Sequence, residues 1–153
     1  MSDTFQSVFA RSSWIWVGDA TAQDQYGEFY DEFCWDGRAP VTCHLSVDGD
    51  YTLYINGQFA SAEQYADYEH DKVYDTIEMT SHLSKGKNTV FIIVWHMGAE
   101  CSRFCRYSAG LIYEIRQGAA WLGASGTHTL ARQSRCYRSG YCKWVTPQMG
   151  YSF

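Results

Sequence analysis

Five carboxylates crowd one polar stretch: Glu63, Asp67, Glu69, Asp71 and Asp75 lie in or beside residues 60–73. Tyr65, Tyr68 and Tyr74 are interleaved with them. Two carboxylates held across a glycosidic bond could hydrolyse it, one as acid and the other as base or nucleophile. The same oxygens could hold Ca²⁺, but they lack the Asp-x-Asp-x-Asp-Gly order of a calcium loop. A solvated acidic loop accounts for them, so neither catalysis nor a cofactor is expected, and Ca²⁺ has no motif behind it.

Other chemistries find less support. A nucleophile needs a neighbouring base and an orienting group. The serines fall in turn-like or polar segments without a Gly-x-Ser-x-Gly elbow, and His44, His70, His82, His96 and His128 are scattered. No His-Glu-x-x-His pattern occurs, and Gly-Ala-Ser-Gly at 123–126 lacks the spacing of a phosphate loop. Cys101-x3-Cys105 and Cys136-x5-Cys142 are looser than zinc knuckles. With no basic start and apolar segment typical of a secretion signal, free thiols and a cytoplasmic location are expected.

The net charge of −5 conceals an uneven distribution. Residues 1–100 carry 16 Asp/Glu against 5 Lys/Arg, and residues 101–153 carry 7 Lys/Arg against Glu114 alone. A nucleic-acid surface would need an exposed Arg135/Arg138/Lys143 face. Trp121, Leu122, Trp144 and Val145 interleave with these cations, which favours pairing of the two halves within one fold and no nucleic-acid partner. No apolar run is long enough to span a bilayer, so no membrane partner is expected.

The elements that would position any site are short strands with turn signals between them. Trp14–Val17, Glu28–Trp35, Val41–Val47, Tyr51–Asn56, Tyr74–Met79, Asn88–Trp95 and Gly110–Ile115 are the expected strands. Asn56-Gly57 reads as a two-residue hairpin turn. Residues 60–73 read as a long polar loop, and residues 80–86 as one helical turn. Asn88–Trp95 is apolar on both faces, which predicts a central strand covered on each side. Aromatics make up 17% of the chain, which suits half-buried pleated surfaces. One all-β domain over 1–153, a sandwich or jelly roll, is the expected fold.

The order of "WIWVGD" at 14–19, "YGEFYDEFCW" at 26–35, "DYTLYINGQ" at 50–58 and "YDTIEMTSHLSKGKNTVFIIVWHMG" at 74–98 resembles the N-terminal β-sandwich domain of bacterial α-L-rhamnosidases and related multidomain glycoside hydrolases. "WLGASGTHTLARQSR" and "WVTPQMGYSF" resemble the segment where such enzymes leave this module. The resemblance implies a galactose-binding-like jelly-roll fold. It also implies an accessory role in a longer, inverting enzyme whose acid and base reside in a separate helical barrel, absent here. The expected function is therefore non-catalytic carbohydrate binding, with a rhamnose-containing glycan and the remaining domains of the parent enzyme as partners. The alternative is a structural domain that packs on the barrel or forms a homodimer. Aromatic platforms flanked by polar groups suit sugars. Tyr65, Tyr68, Asp71, Tyr74, Trp95, His96, Arg103 and Arg106 are the candidate sugar contacts.

Overall fold

The computed structural model describes residues 8–64, 68, 70–100 and 104–140, together with the backbone of 143–146 and 150–152. Its strands are β1 (Gln25–Trp35), β2 (Thr42–Val47), β3 (Asp50–Ile55), β4 (Gln58–Glu63), β5 (Asp75–Glu78), β6 (Gly86–His96), β7 (Leu111–Gln117), β8 (Ala120–Ala124), β9 (Leu130–Gln133), β10 (Lys143–Thr146) and β11 (Gly150–Ser152). One sheet runs β4-β3-β6-β1-β9, a second runs β5-β2-β7-β8, and β10-β11 is a two-stranded ribbon. All pairings are antiparallel. The expected β-sandwich is the fold observed. No helix among the described residues is long and apolar enough to cross a membrane.

Alternation builds the core. Phe29 and Phe33 of β1, Leu53 and Ile55 of β3, and Val90, Ile92 and Val94 of β6 face Cys43, Leu45 and Val47 of β2 and Leu111, Tyr113 and Ile115 of β7. Fully burying one such side chain stabilises the fold by roughly 1.5–3 kcal/mol. The hairpin turn is as expected, with Asn56 at φ 51° and Gly57 at φ 77° between β3 and β4. Asn56 Nδ2 also donates to Asn88 Oδ1 at 2.8 Å, tying the turn to β6. The helical turn near residue 80 is a single 3₁₀ turn at Thr80–His82.

Four expectations change. Trp14–Val17 is not a strand: only Ile15 bridges, exchanging two backbone hydrogen bonds with Leu111. The polar stretch 60–73 begins as strand, because β4 continues to Glu63 on the edge of its sheet. β8 and β9 were not anticipated; β9 is exposed at all four positions. β6 is central but covered on one face only, since Phe91, Ile93 and Trp95 on its other face are partly exposed.

The chain ends cover parts of the outer faces, each held by a buried carboxylate. Glu114 of β7 accepts hydrogen bonds from the Arg11 and Ser12 N–H groups, Arg116 and Trp121. Glu28 of β1 accepts from Arg132, Ser134, and the N–H groups of Arg135 and Cys136. At Glu28 an acidic early residue meets a basic late one, Arg132, as the charge asymmetry suggested, whereas Glu114 is the late acid and holds the early chain.

Cys34, Cys43, Cys105 and Cys136 are free thiols, while Cys101 and Cys142 lie outside the described residues. Cys43 is buried, which pushes its thiol up to about 12. Dithiobis(nitrobenzoate) should therefore label the exposed Cys34 and Cys136 in the native protein and leave Cys43 unreacted until the fold opens. Labelling of Cys43 at the rate of Cys34 would contradict its placement.

Candidate functional site

Several connections meet at one end of the sandwich. The Asp48 N–H donates to the Gly110 carbonyl at 2.9 Å, joining the β2–β3 turn to the segment that enters β7. The Ala109 N–H donates to the Ala20 carbonyl at 2.8 Å, and the Asp24 N–H to the Met97 carbonyl at 3.0 Å. Ser46 Oγ donates to the Val73 carbonyl at 2.6 Å, bringing in the chain before β5. Loops thereby place side chains from four distant stretches around one spot, on strands that fix their ends.

Asp48 occupies the centre. Its Oδ1 lies 2.7 Å from Lys72 Nζ and its Oδ2 lies 3.0 Å from His96 Nδ1. The Asp48 side chain is 3% exposed and that of His96 is 0% exposed. His96 is walled in by Trp16 and Phe104, with ring centroids 6.0 and 5.8 Å away. A buried carboxylate held between a cation and an imidazole avoids the large cost of an isolated charge. Its ion pair also fixes the Lys72 ammonium, which sits 5.7 Å from the Tyr107 ring centroid.

Above this network lies a cleft of about 220 Å³ lined by Trp14, Lys72, Ser108, Ala109 and Gly110. Trp14 is 47% exposed, and its indole packs over Gly110. A second cleft of about 330 Å³ at this end is lined by Gln23, Ala99, Glu100 and Arg106. The first cleft combines an aromatic face, an ammonium and a hydroxyl, the groups that contact the C–H faces and oxygens of a polyol. Among the described residues, neither cleft is lined by two facing carboxylates. No group of three or more His, Cys, Asp or Glu among the described residues could hold a metal ion.

The sequence candidates are dispersed. Tyr65 and Arg103 lie outside the described residues. Tyr68 is exposed and forms a local bridge with Asp71. Tyr74 packs edge-on against His44 and Phe9, on the outer side of the four-stranded sheet. Trp95 lies on the outer face of the other sheet, stacked near Tyr26, and donates through Nε1 to Asp24 Oδ1 at 2.9 Å. His96 is internal rather than at the rim and offers no surface to a ligand. Arg106 reaches the second cleft, with its N–H bonded to Glu100.

Trp14, Asp48, Lys72 and Ser108 escaped sequence reasoning. His96 did carry a signal: it continues the inward alternation of Val90, Ile92 and Val94.

No known protein-family profile matches this sequence, and no curated protein matches it. Solved structures do. A GH78-family rhamnosidase of Bacillus sp. GL1 superimposes with a TM-score of 0.78 at 24% identity, over 83% of this chain and 14% of that one. A Streptomyces avermitilis α-L-rhamnosidase, solved with L-rhamnose, matches at 0.61 and 16% identity, over 92% of this chain and 14% of its own. A Pleurotus ostreatus lectin matches at 0.55 and 20% identity, over 92% of this chain and 39% of the lectin. The chain is thus a β-sandwich of the kind found within α-L-rhamnosidases and in a lectin, and it spans about one-seventh of those rhamnosidases' length.

Proposed function

We propose that this chain is a non-catalytic accessory domain of an α-L-rhamnosidase-like glycoside hydrolase, and that its loop end binds carbohydrate, with a rhamnose-containing glycan as the first candidate. The observation that carries this reading is the half-exposed Trp14 indole beside Lys72 and Ser108, on a fold shared with rhamnosidases and a lectin. The indole face would take the apolar side of a sugar ring. Lys72, fixed by Asp48, and Ser108 would meet its hydroxyls.

Titration calorimetry with L-rhamnose and rhamnosides tests the reading. Binding is expected, and Trp14→Ala should weaken it about 10- to 100-fold, from roughly 1.5–3 kcal/mol of lost apolar contact, with the native fold retained. Chelation with EDTA should leave the affinity unchanged. A chain that gives no heat with any rhamnoside and retains no glycan would sink the reading. A structural role, by packing on another domain or on a second copy, is the alternative. It is favoured by the apolar outer face of the five-stranded sheet.

A further inference from the structure

The outer face of the five-stranded sheet carries a row of apolar side chains that neither the core nor the loop-end cleft uses. Register aligns Phe59 of β4 with Tyr54 of β3, and Tyr54 with Phe91 of β6. Phe91 in turn faces Tyr30 of β1, and Tyr30 faces Leu130 of β9. Paired positions project to the same face of a sheet. Five residues from five strands therefore form one stripe from edge to edge. Tyr54, Phe91 and Tyr30 are partly exposed, and the ends, Phe59 and Leu130, are 58% and 67% exposed. A groove of about 350 Å³ follows part of it, lined by Tyr30, Phe91, Leu130, Ala131, Arg132 and Glu28.

We propose that this stripe is where two copies of the chain associate face to face. The ring orientations speak against a sugar here. Tyr54 is inclined 40° to Phe91 and 79° to Phe59, so the row offers no flat platform, whereas tilted rings interdigitate well with other side chains.

The charges beside the stripe suit self-association. Arg132 Nε lies 2.7 Å from Glu28 Oε2 on one side, and Lys87 Nζ lies 2.6 Å from Glu32 Oε2 on the other. A surface that meets its own copy repels it if the charges are of one sign. These rows are neutral pair by pair, although the chain carries −5 overall.

The area fits a weak association. Four spacings of about 4.8 Å set the ends of the stripe about 19 Å apart, and with the flanking charge pairs as a rim the face covers about 400 Å² per copy, the size of a weak, concentration-dependent contact. A two-fold axis in the interface plane and parallel to β6 sets Phe91 against its own counterpart. It sets Tyr54 against Tyr30 of the other copy, and Phe59 against Leu130, as an isologous contact requires. The inference rests on the sheet face alone and is independent of the carbohydrate reading.

Sedimentation equilibrium of the whole chain across the micromolar range tests it. A monomer–dimer equilibrium is expected, weakened about tenfold or more by Phe91→Glu. Leu130→Glu and Phe59→Glu, at exposed edge positions that cannot unfold the core, should weaken it as well. Trp14→Ala should leave it unchanged. A chain that stays monomeric at the highest concentration overturns the proposal, as does a dimer that survives all three substitutions. A monomeric chain whose Phe91→Glu variant loses binding to a glycan, or to another domain of a longer polypeptide, overturns it too and assigns the face to that occupant.

Discussion

Gly49→Ala is expected to destabilise the domain by on the order of 3–5 kcal/mol, a large fraction of the stability of an ordinary domain. Gly49 sits in the turn between β2 and β3 at φ 130°, and a Cβ there would lie 2.0 Å from the Trp95 carbonyl oxygen. Backbone strain at such an angle costs roughly 1–3 kcal/mol, and forcing apart packed backbone adds a similar amount. The displaced atoms belong to β6, directly before His96, so the Asp48–His96 contact should be lost as well.

Gly57→Ala is the internal control. Its φ of 77° is also positive, but nothing lies within 4 Å of the added Cβ. Only the conformational cost remains, about 1 kcal/mol. Urea titrations of the two variants should separate by several kcal/mol. Equal midpoints would show that the approach of the Gly49 turn to β6 is not as tight as described.

The second large effect is the response to acid. Burial alone would raise the Glu28 carboxyl, but hydrogen bonds from Ser134, Arg132, and the Arg135 and Cys136 N–H groups outweigh it and hold the group at about 2. Burial likewise opposes ionisation of Glu114. The Arg11 N–H, Arg116, Trp121 and the Ser12 N–H overcome it, again holding the carboxyl at about 2.

Both groups ionise more readily when folded than when unfolded, where an ordinary Glu titrates near 4.5. Their contribution is therefore complete above about pH 5 and is lost as pH falls from there toward about 2. Each is worth on the order of 3 kcal/mol. Chemical denaturation at stepped pH should show stability falling by several kcal/mol over that interval. Glu28→Gln and Glu114→Gln should each lower stability at neutral pH and flatten the acid slope. A double variant with the parent's slope would refute the assignment.

What the sequence made legible was alternation and turns. Tyr51, Leu53 and Ile55 against Thr52 and Tyr54, followed by Asn56-Gly57, placed β3 and its hairpin correctly. β8 and β9 were illegible because both are edge strands, and their membership rests on backbone hydrogen bonds rather than on a buried face. The two-sided apolar pattern of β6 was real, yet such a pattern reports what a face presents and not whether this chain covers it.

The candidate site was harder still. Trp14, Asp48, Lys72 and Ser108 are brought together by loop hydrogen bonds between stretches far apart in sequence, and no local spacing encodes that. The polar loop drew attention through its density of tyrosines and carboxylates. Among the described residues, what it brings to the cleft is Lys72, anchored by a buried acid.

The pairing of β1 with β9 bears on how the chain is made. Gly27 faces Gln133, more than 100 positions later, and Ser13 bonds to Ser125 across a similar span. Loops of that length close slowly, so the β3–β4 hairpin can form early while one edge of β1 waits for the last part of the sandwich to arrive. On the ribosome, β1 emerges long before β9 has been translated. Until then its open edge is a template for any other unpaired strand, and crowded synthesis is the moment at which this protein is most exposed to misassembly.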